Sequence, residues 1–183
     1  MASPRSTAPR LTAGSSWRSP AICAVNGYAI GGGHVNHVIC DVTIAAEHAK
    51  FGQAGPRVGS FDASWGSAYL ARTVGEKRAR EIWLFCEQYN SQTALQWILV
   101  NKVVAAAKQI EEARAMAKKA AALSPTALKF LKHAFNSDSA HIFGQVEMAA
   151  DGLACFVNSE EAAEGRNALL EKRTPDFSTY RRL

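Results

Sequence analysis

Residues 24–34 read Ala-Val-Asn-Gly-Tyr-Ala-Ile-Gly-Gly-Gly-His, and three consecutive glycines at this place leave few folds open. The apolar run 21–25 is strand-like, and Asn26-Gly27 is a turn signal. Gly31-Gly32-Gly33 then leads into a helix-compatible stretch over 34–40. A glycine turn that opens a helix presents unpaired backbone N–H groups and the positive end of the helix dipole. Such a place suits a phosphate, a carboxylate or a developing oxyanion. The pattern lacks Gly-x-Gly-x-x-Gly with a following acid, and no Lys-Ser/Thr follows the glycines. It is therefore neither a dinucleotide fingerprint nor a Walker loop. A purely structural turn is the competing reading.

The rest of the chain predicts an α/β protein that becomes helical. Residues 42–45 form a short β-type run. The stretch 53–66 is a glycine-rich loop broken by Pro56, and 67–73 and 77–85 look helical. Residues 100–104 are β-type. Beyond them Ile110, Ala113, Met116, Ala117 and Ala120 mark one face of a helix. Ser124-Pro125 starts another, with serine as cap and proline at the first helical position. It leads into Leu128, Leu131 and Phe135. Asn158 and Glu161 are spaced as a capping box for a helix over 159–172, which Pro175 ends. The predicted domains are 1–19, 20–123 and 124–183.

Composition narrows the function. The 183 residues carry a net charge of +5, and the first acid is Asp41. No Lys- or Arg-rich run with interleaved aromatics supports nucleic acid binding. No apolar run approaches the ~18 residues of a membrane span. Cys23, Cys40, Cys86 and Cys155 are widely spaced and read as buried free thiols. His34 and His37 lack the paired cysteines of a zinc site, so no metal is expected. Residues 1–19 are basic, rich in Ser, Thr and Ala, and without acid. They read as a disordered tail or an organellar transit segment. The corresponding compartment is the cytoplasm of a bacterium, or a mitochondrion or plastid.

The loop 51–62 (Phe-Gly-Gln-Ala-Gly-Pro-Arg-Val-Gly-Ser-Phe-Asp) exposes backbone and offers Gln53, Ser60 and Asp62 as polar side chains. Asp62 could move a proton or cap the helix after Trp65. Lys172-Arg173 ends the last helix, where cations suit the dipole or could meet a phosphate. Trp83 would by default be core.

Together these segments resemble the crotonase superfamily. The residues that carry the likeness are 24–34, 51–62, Ala79-Arg80-Glu81-Ile82-Trp83, Ser124-Pro125-Thr126-Ala127-Leu128 and Glu171-Lys172-Arg173-Thr174-Pro175-Asp176-Phe177-Ser178. Within the superfamily they are similar to the naphthoate synthases of menaquinone and phylloquinone biosynthesis. The resemblance spans residue 20 to about residue 182. It implies a crotonase-like ββα spiral, truncated at its N-terminal side, followed by an all-helical C-terminal region.

The resemblance also implies chemistry. An acyl-CoA thioester places its carbonyl oxygen between two backbone N–H groups, and Gly32 matches the second donor. Naphthoate synthases close a ring on o-succinylbenzoyl-CoA by a Claisen-type condensation with loss of water. Hydratases of the superfamily carry glutamates at positions matching Val35 and Gly55, so simple hydration is not expected. In one class of naphthoate synthases a bound bicarbonate is the base, and Gln53, Gly55 and Trp83 match its contacts. Ser60 and Asp62 match residues on the succinyl side that help proton transfer. Lys172 matches a lysine near the cofactor phosphates of a neighbouring subunit. Family members assemble as trimers and hexamers through their C-terminal helices.

The chain departs from that pattern. Val157 stands where the family has a tyrosine, Ala54 where it has threonine, and Ala63-Ser64 where it has Gly-Gly. The family's N-terminal half, with a Ser-Gly-Gly-Asp oxyanion segment, has no counterpart here. The expectation is an active site incomplete in this chain alone. The open sheet edge would be covered by a homo-oligomer or a hetero-complex. The alternative function is a catalytically impaired crotonase-fold subunit with a structural role.

Overall fold

The computed structural model describes residues 19–181; the basic leader lies almost wholly outside them. The first four strands alternate between two small sheets; β5 then stays in the second sheet and β6 returns to the first. β1 (Ile22–Val25), β3 (Val42–Ala46) and β6 (Lys102–Val104) form one sheet in the order β1-β3-β6, all parallel. β2 (Tyr28–Ile30), β4 (Lys50–Gly52) and β5 (Gln88–Asn90) form the other; β2 and β4 are parallel, and β5 runs antiparallel to β4. The Asn26-Gly27 turn carries the chain from the first sheet to the second.

Four helices punctuate these strands: α1 (Gly32–Val38), α2 (Gly66–Val74), α3 (Glu76–Phe85) and α4 (Ser91–Gln96). Four more follow: α5 (Gln109–Ala121), α6 (Pro125–Ser137), α7 (Phe143–Phe156) and α8 (Glu160–Glu171). The predicted order, β/α first and helical afterwards, is the observed one. Parallel strands covered on both faces become continuously apolar, and in β3 Thr43 through Ala46 are all buried. Phe51, Leu70, Val74, Ile82 and Val100 complete the core around them.

Several expectations need correction. The three-residue strands β2, β4 and β5 were not foreseen, because so short a stretch carries no readable period. Ser124 does cap α6, accepting from the Ala127 N–H at 3.3 Å. For α8 the cap is Ser159, which accepts from the Ala162 N–H at 3.2 Å. Asn158 instead donates its amide to the Ala154 carbonyl. Along α6 Leu131 is 55% and Phe135 77% exposed. The buried member of that helix is Lys132, 4% exposed, whose ammonium pairs with the Asp41 carboxylate. A buried charge needs such a partner, and the pair pins α6 to the start of β3. Cys155 is exposed on α7 rather than buried, and Cys86 alone of the four thiols is fully enclosed.

Candidate active site

Gly31 sits at φ +58° and donates its N–H to the Gly52 carbonyl at 3.2 Å, so it belongs half to the sheet and half to the turn. That left-handed backbone calls for glycine. The first helical bond of α1 runs from the Val35 N–H to the Gly31 carbonyl at 3.0 Å. The Gly32 and Gly33 amides therefore precede the helix's own hydrogen bonding. A Cβ built on Gly32 would meet no atom within 4 Å. No internal clash demands glycine there, and what its lack of a side chain achieves is an approachable N–H.

The loop after β4 is drawn tight by its own backbone. Ser60 donates its N–H to the Gly55 carbonyl at 2.8 Å, and Val58 donates to Ala54 at 3.1 Å. A Cβ on Gly55 would lie 3.0 Å from the Ser60 carbonyl oxygen. Gly55 thus has a packing reason of its own. Gly66 is closer still to its neighbours: a Cβ there would lie 2.6 Å from Val35, 3.1 Å from Asp62 and 3.2 Å from Trp83. Three site residues converge because this position carries only a hydrogen. The sequence reading passed over Gly66.

Asp62 ties down the first turn of α2 and borders the site at once. One carboxylate oxygen accepts from the Ser64 N–H at 3.1 Å, and the other accepts from the Ser67 N–H.

A cavity of about 690 Å³ lies over this loop. Gly32, Gln53, Gly55, Ser60, Asp62 and Trp83, chosen from sequence, all line it. Lys172 does not; it ends α8 in the left-handed region, φ +56°, exposed to solvent. The far wall was missed: Val146, Glu147, Ala150 and Asp151 of α7. The available signal was a pair of acids four residues apart on an otherwise apolar helix face. Phe61 and Phe156 rings, 5.7 Å apart, hold α7 against the loop.

The polar floor is unusual. Trp83 borders the cavity, yet its indole Nε1 is buried without a hydrogen-bond partner among the described residues. Gln53, 2% exposed, has its amide nitrogen 3.3 Å from Nδ1 of His34. Behind it His34 and His37 meet edge to face with centroids 4.8 Å apart. Burial lowers the His34 pKa from 6.5 to about 4. His37 is lowered well below the usual value by burial and by the neighbouring His34. Both rings are neutral at physiological pH. Among the described residues no three His, Cys, Asp or Glu side chains gather as a metal set. None of the helices described is long and apolar enough to cross a membrane.

The Gly32 amide, unpaired within α1, and a mixed wall of Val146, Ala150, Glu147 and Asp151 line one cavity that suits a partly apolar ligand. The family model for enoyl-CoA hydratase/isomerase matches residues 5–180. The chain belongs to the enoyl-CoA hydratase/isomerase family, the crotonase superfamily, and has its crotonase-like fold. It is similar to the carnitinyl-CoA hydratase of Mycobacterium avium, with 30% identity and a TM-score of 0.81; the match covers 88% of this chain and 64% of that one. An enoyl-CoA hydratase from Mycobacterium avium subsp. paratuberculosis K-10 matches at 27% identity and TM-score 0.82, covering 90% and 67%. A methylmalonyl-CoA decarboxylase matches at 26% and 0.77, covering 89% and 65%. The chain spans about two thirds of the length of these proteins.

Proposed function

We propose that the cavity takes an acyl-CoA thioester and stabilises an enolate of it, in the manner of a naphthoate synthase acting on o-succinylbenzoyl-CoA. One observation carries the reading: the approachable Gly32 N–H lies in the same cavity as Gln53, Ser60, Asp62 and Trp83. A thioester carbonyl set against Gly32 gains most when its oxygen becomes an oxyanion, which lowers the barrier to removing the adjacent proton. Val35 and Gly55 offer no acid to activate water, which speaks against plain hydration. Ser60 and Asp62 stand on the loop side, where a second carbonyl of the substrate would be held and protonated.

The orphaned Trp83 N–H and the neighbouring Gln53 amide fit a small acceptor anion such as bicarbonate. Bicarbonate bound there would supply the base that the chain's own residues lack at positions 35 and 55. A second copy of the chain, laid on the outward face of α6, would hide Leu131 and Phe135, and Lys172 would then be free to reach a neighbour's cofactor phosphates. The deciding experiment incubates the protein with o-succinylbenzoyl-CoA and bicarbonate and follows the naphthoyl product. Turnover that depends on bicarbonate supports the reading; no product at any protein concentration rejects it.

A second reading, a crotonase-fold subunit retained for its surface, draws on Asp62 and Val157. The Asp62 carboxylate is already engaged by Ser64 and Ser67, and valine at 157 cannot transfer a proton. Its mark would be thioester binding without turnover.

A further inference from the structure

His37 fixes its own tautomer. The Thr43 hydroxyl donates its one proton to the His37 carbonyl at 3.2 Å. Its oxygen, 3.3 Å from His37 Nδ1, can then only accept, so Nδ1 carries the proton and Nε2 is bare. The bare Nε2 is buried without a partner.

His34 faces the same choice. Its Nε2 is also buried and without a partner, and its Nδ1 meets the terminal amide of Gln53. With the proton on Nε2, a donor would be stranded in the interior. With the proton on Nδ1, only a lone pair is stranded. Orphaned buried N–H groups are rarer and costlier than under-used acceptors. Nδ1–H therefore donates to the Gln53 oxygen, and a half-turn of the amide, which hardly changes its shape, brings that oxygen to His34. The NH₂ group is then the end left for the cavity. Burial keeps the ring neutral, with a pKa lowered to about 4, so one proton is all there is to place.

We propose that His34 is a positioning residue: its Nδ1–H holds Gln53 with the amide NH₂ turned to the cavity, where it donates to a planar anion. The inference deepens the anion-assisted reading above and rests on it. Neither His34 nor its hydrogen bond touches the ligand.

The test reads the ring directly. In isotope-labelled full-length protein at neutral pH, correlation of the His34 ring nitrogens should place the proton on Nδ1; a proton on Nε2 overturns the inference and leaves the anion site standing. Nitrate, planar and accepting only, is the binding probe. His34→Asn puts an amide donor near the place of Nδ1 and should hold nitrate within about threefold of wild type, whereas His34→Leu should weaken it by about tenfold or more. Equal nitrate affinity in H34L and wild type overturns the positioning role. Equal loss in both variants does so too, since a donor that fails to rescue points to packing. A wild type that binds neither nitrate nor bicarbonate, with Nδ1 protonated, rejects the anion reading and the positioning role with it.

Discussion

Gly59 and Gly165 meet backbone to backbone: a Cβ on Gly165 would lie 2.4 Å from the Gly59 nitrogen. Gly59 is itself left-handed, at φ +67°, and a Cβ there would stand 2.7 Å from Ala162 Cα. Helix α8 thus rests directly on the loop that carries Gly55, Ser60 and Asp62. The chain's last helix and its candidate site are set by one contact that tolerates no side chain.

Gly165→Ala should separate α8 from that loop. Overpacking of this kind costs roughly 1–3 kcal/mol. Thermal unfolding and hydrogen exchange of residues 55–62 will check it; the variant should melt earlier and exchange faster in the loop. An unchanged melting temperature would mean the contact is looser than the geometry requires.

Gly32→Pro removes one N–H and sets a ring methylene in its place. Position 32 is the first residue of α1, where proline is favoured, and a Cβ there meets open space. Stability should stay near wild type. If Gly32 serves an oxyanion, turnover should fall by about 10²–10³, or roughly 2.7–4 kcal/mol. A variant with full activity would remove Gly32 from the chemistry.

Stability should fall in acid because of the buried histidine pair. His34 titrates at about 4 when folded and near 6.5 when unfolded. Below 6.5 the unfolded chain binds a proton that the folded ring refuses, so the stability is complete above that pH. It is lost as pH drops toward about 4, by roughly 3 kcal/mol for His34 alone, and His37 acts in the same direction. Denaturant unfolding across that window measures the slope, which His34→Asn should flatten.

Trp83→Phe keeps an aromatic ring, smaller than the indole, and deletes the orphaned N–H. Activity should become less sensitive to bicarbonate, with an anion affinity lower by about tenfold, near the value of one hydrogen bond to a charge. Calorimetric titration with nitrate provides the number. Unchanged affinity would place the anion elsewhere.

Leu131→Glu with Phe135→Glu should reduce the mass seen by sedimentation without lowering the melting temperature of the monomer, since both side chains are outward on α6. A wild type that sediments as a monomer would mean that this face has another partner.

Local signals carried much of this protein. The glycine run announced the α1 turn, Ser124-Pro125 announced α6, and periodicity placed α2, α3 and α5. The six cavity residues named from sequence lie on one loop, one turn and one helix, each recognisable by short-range pattern. Beyond the acid pair of α7, what escaped had no local mark. β2, β4 and β5 are three residues each and exist only because their partners lie alongside. The apolar residues of α6 show a face without saying what covers it, and Leu131 and Phe135 lie outward.

The amino-acid order by itself determined that a strand would pass through a glycine turn into a helix, and that its N–H groups would be bare, because steric and hydrogen-bonding rules act over a few residues. Only the tertiary structure decided that Gly66 lets Val35, Asp62 and Trp83 converge, that α7 walls the cavity, and that His34 stands behind Gln53. Those relations join residues far apart in the chain. They depend on which surfaces meet once the core has excluded water, and no short window of sequence contains that.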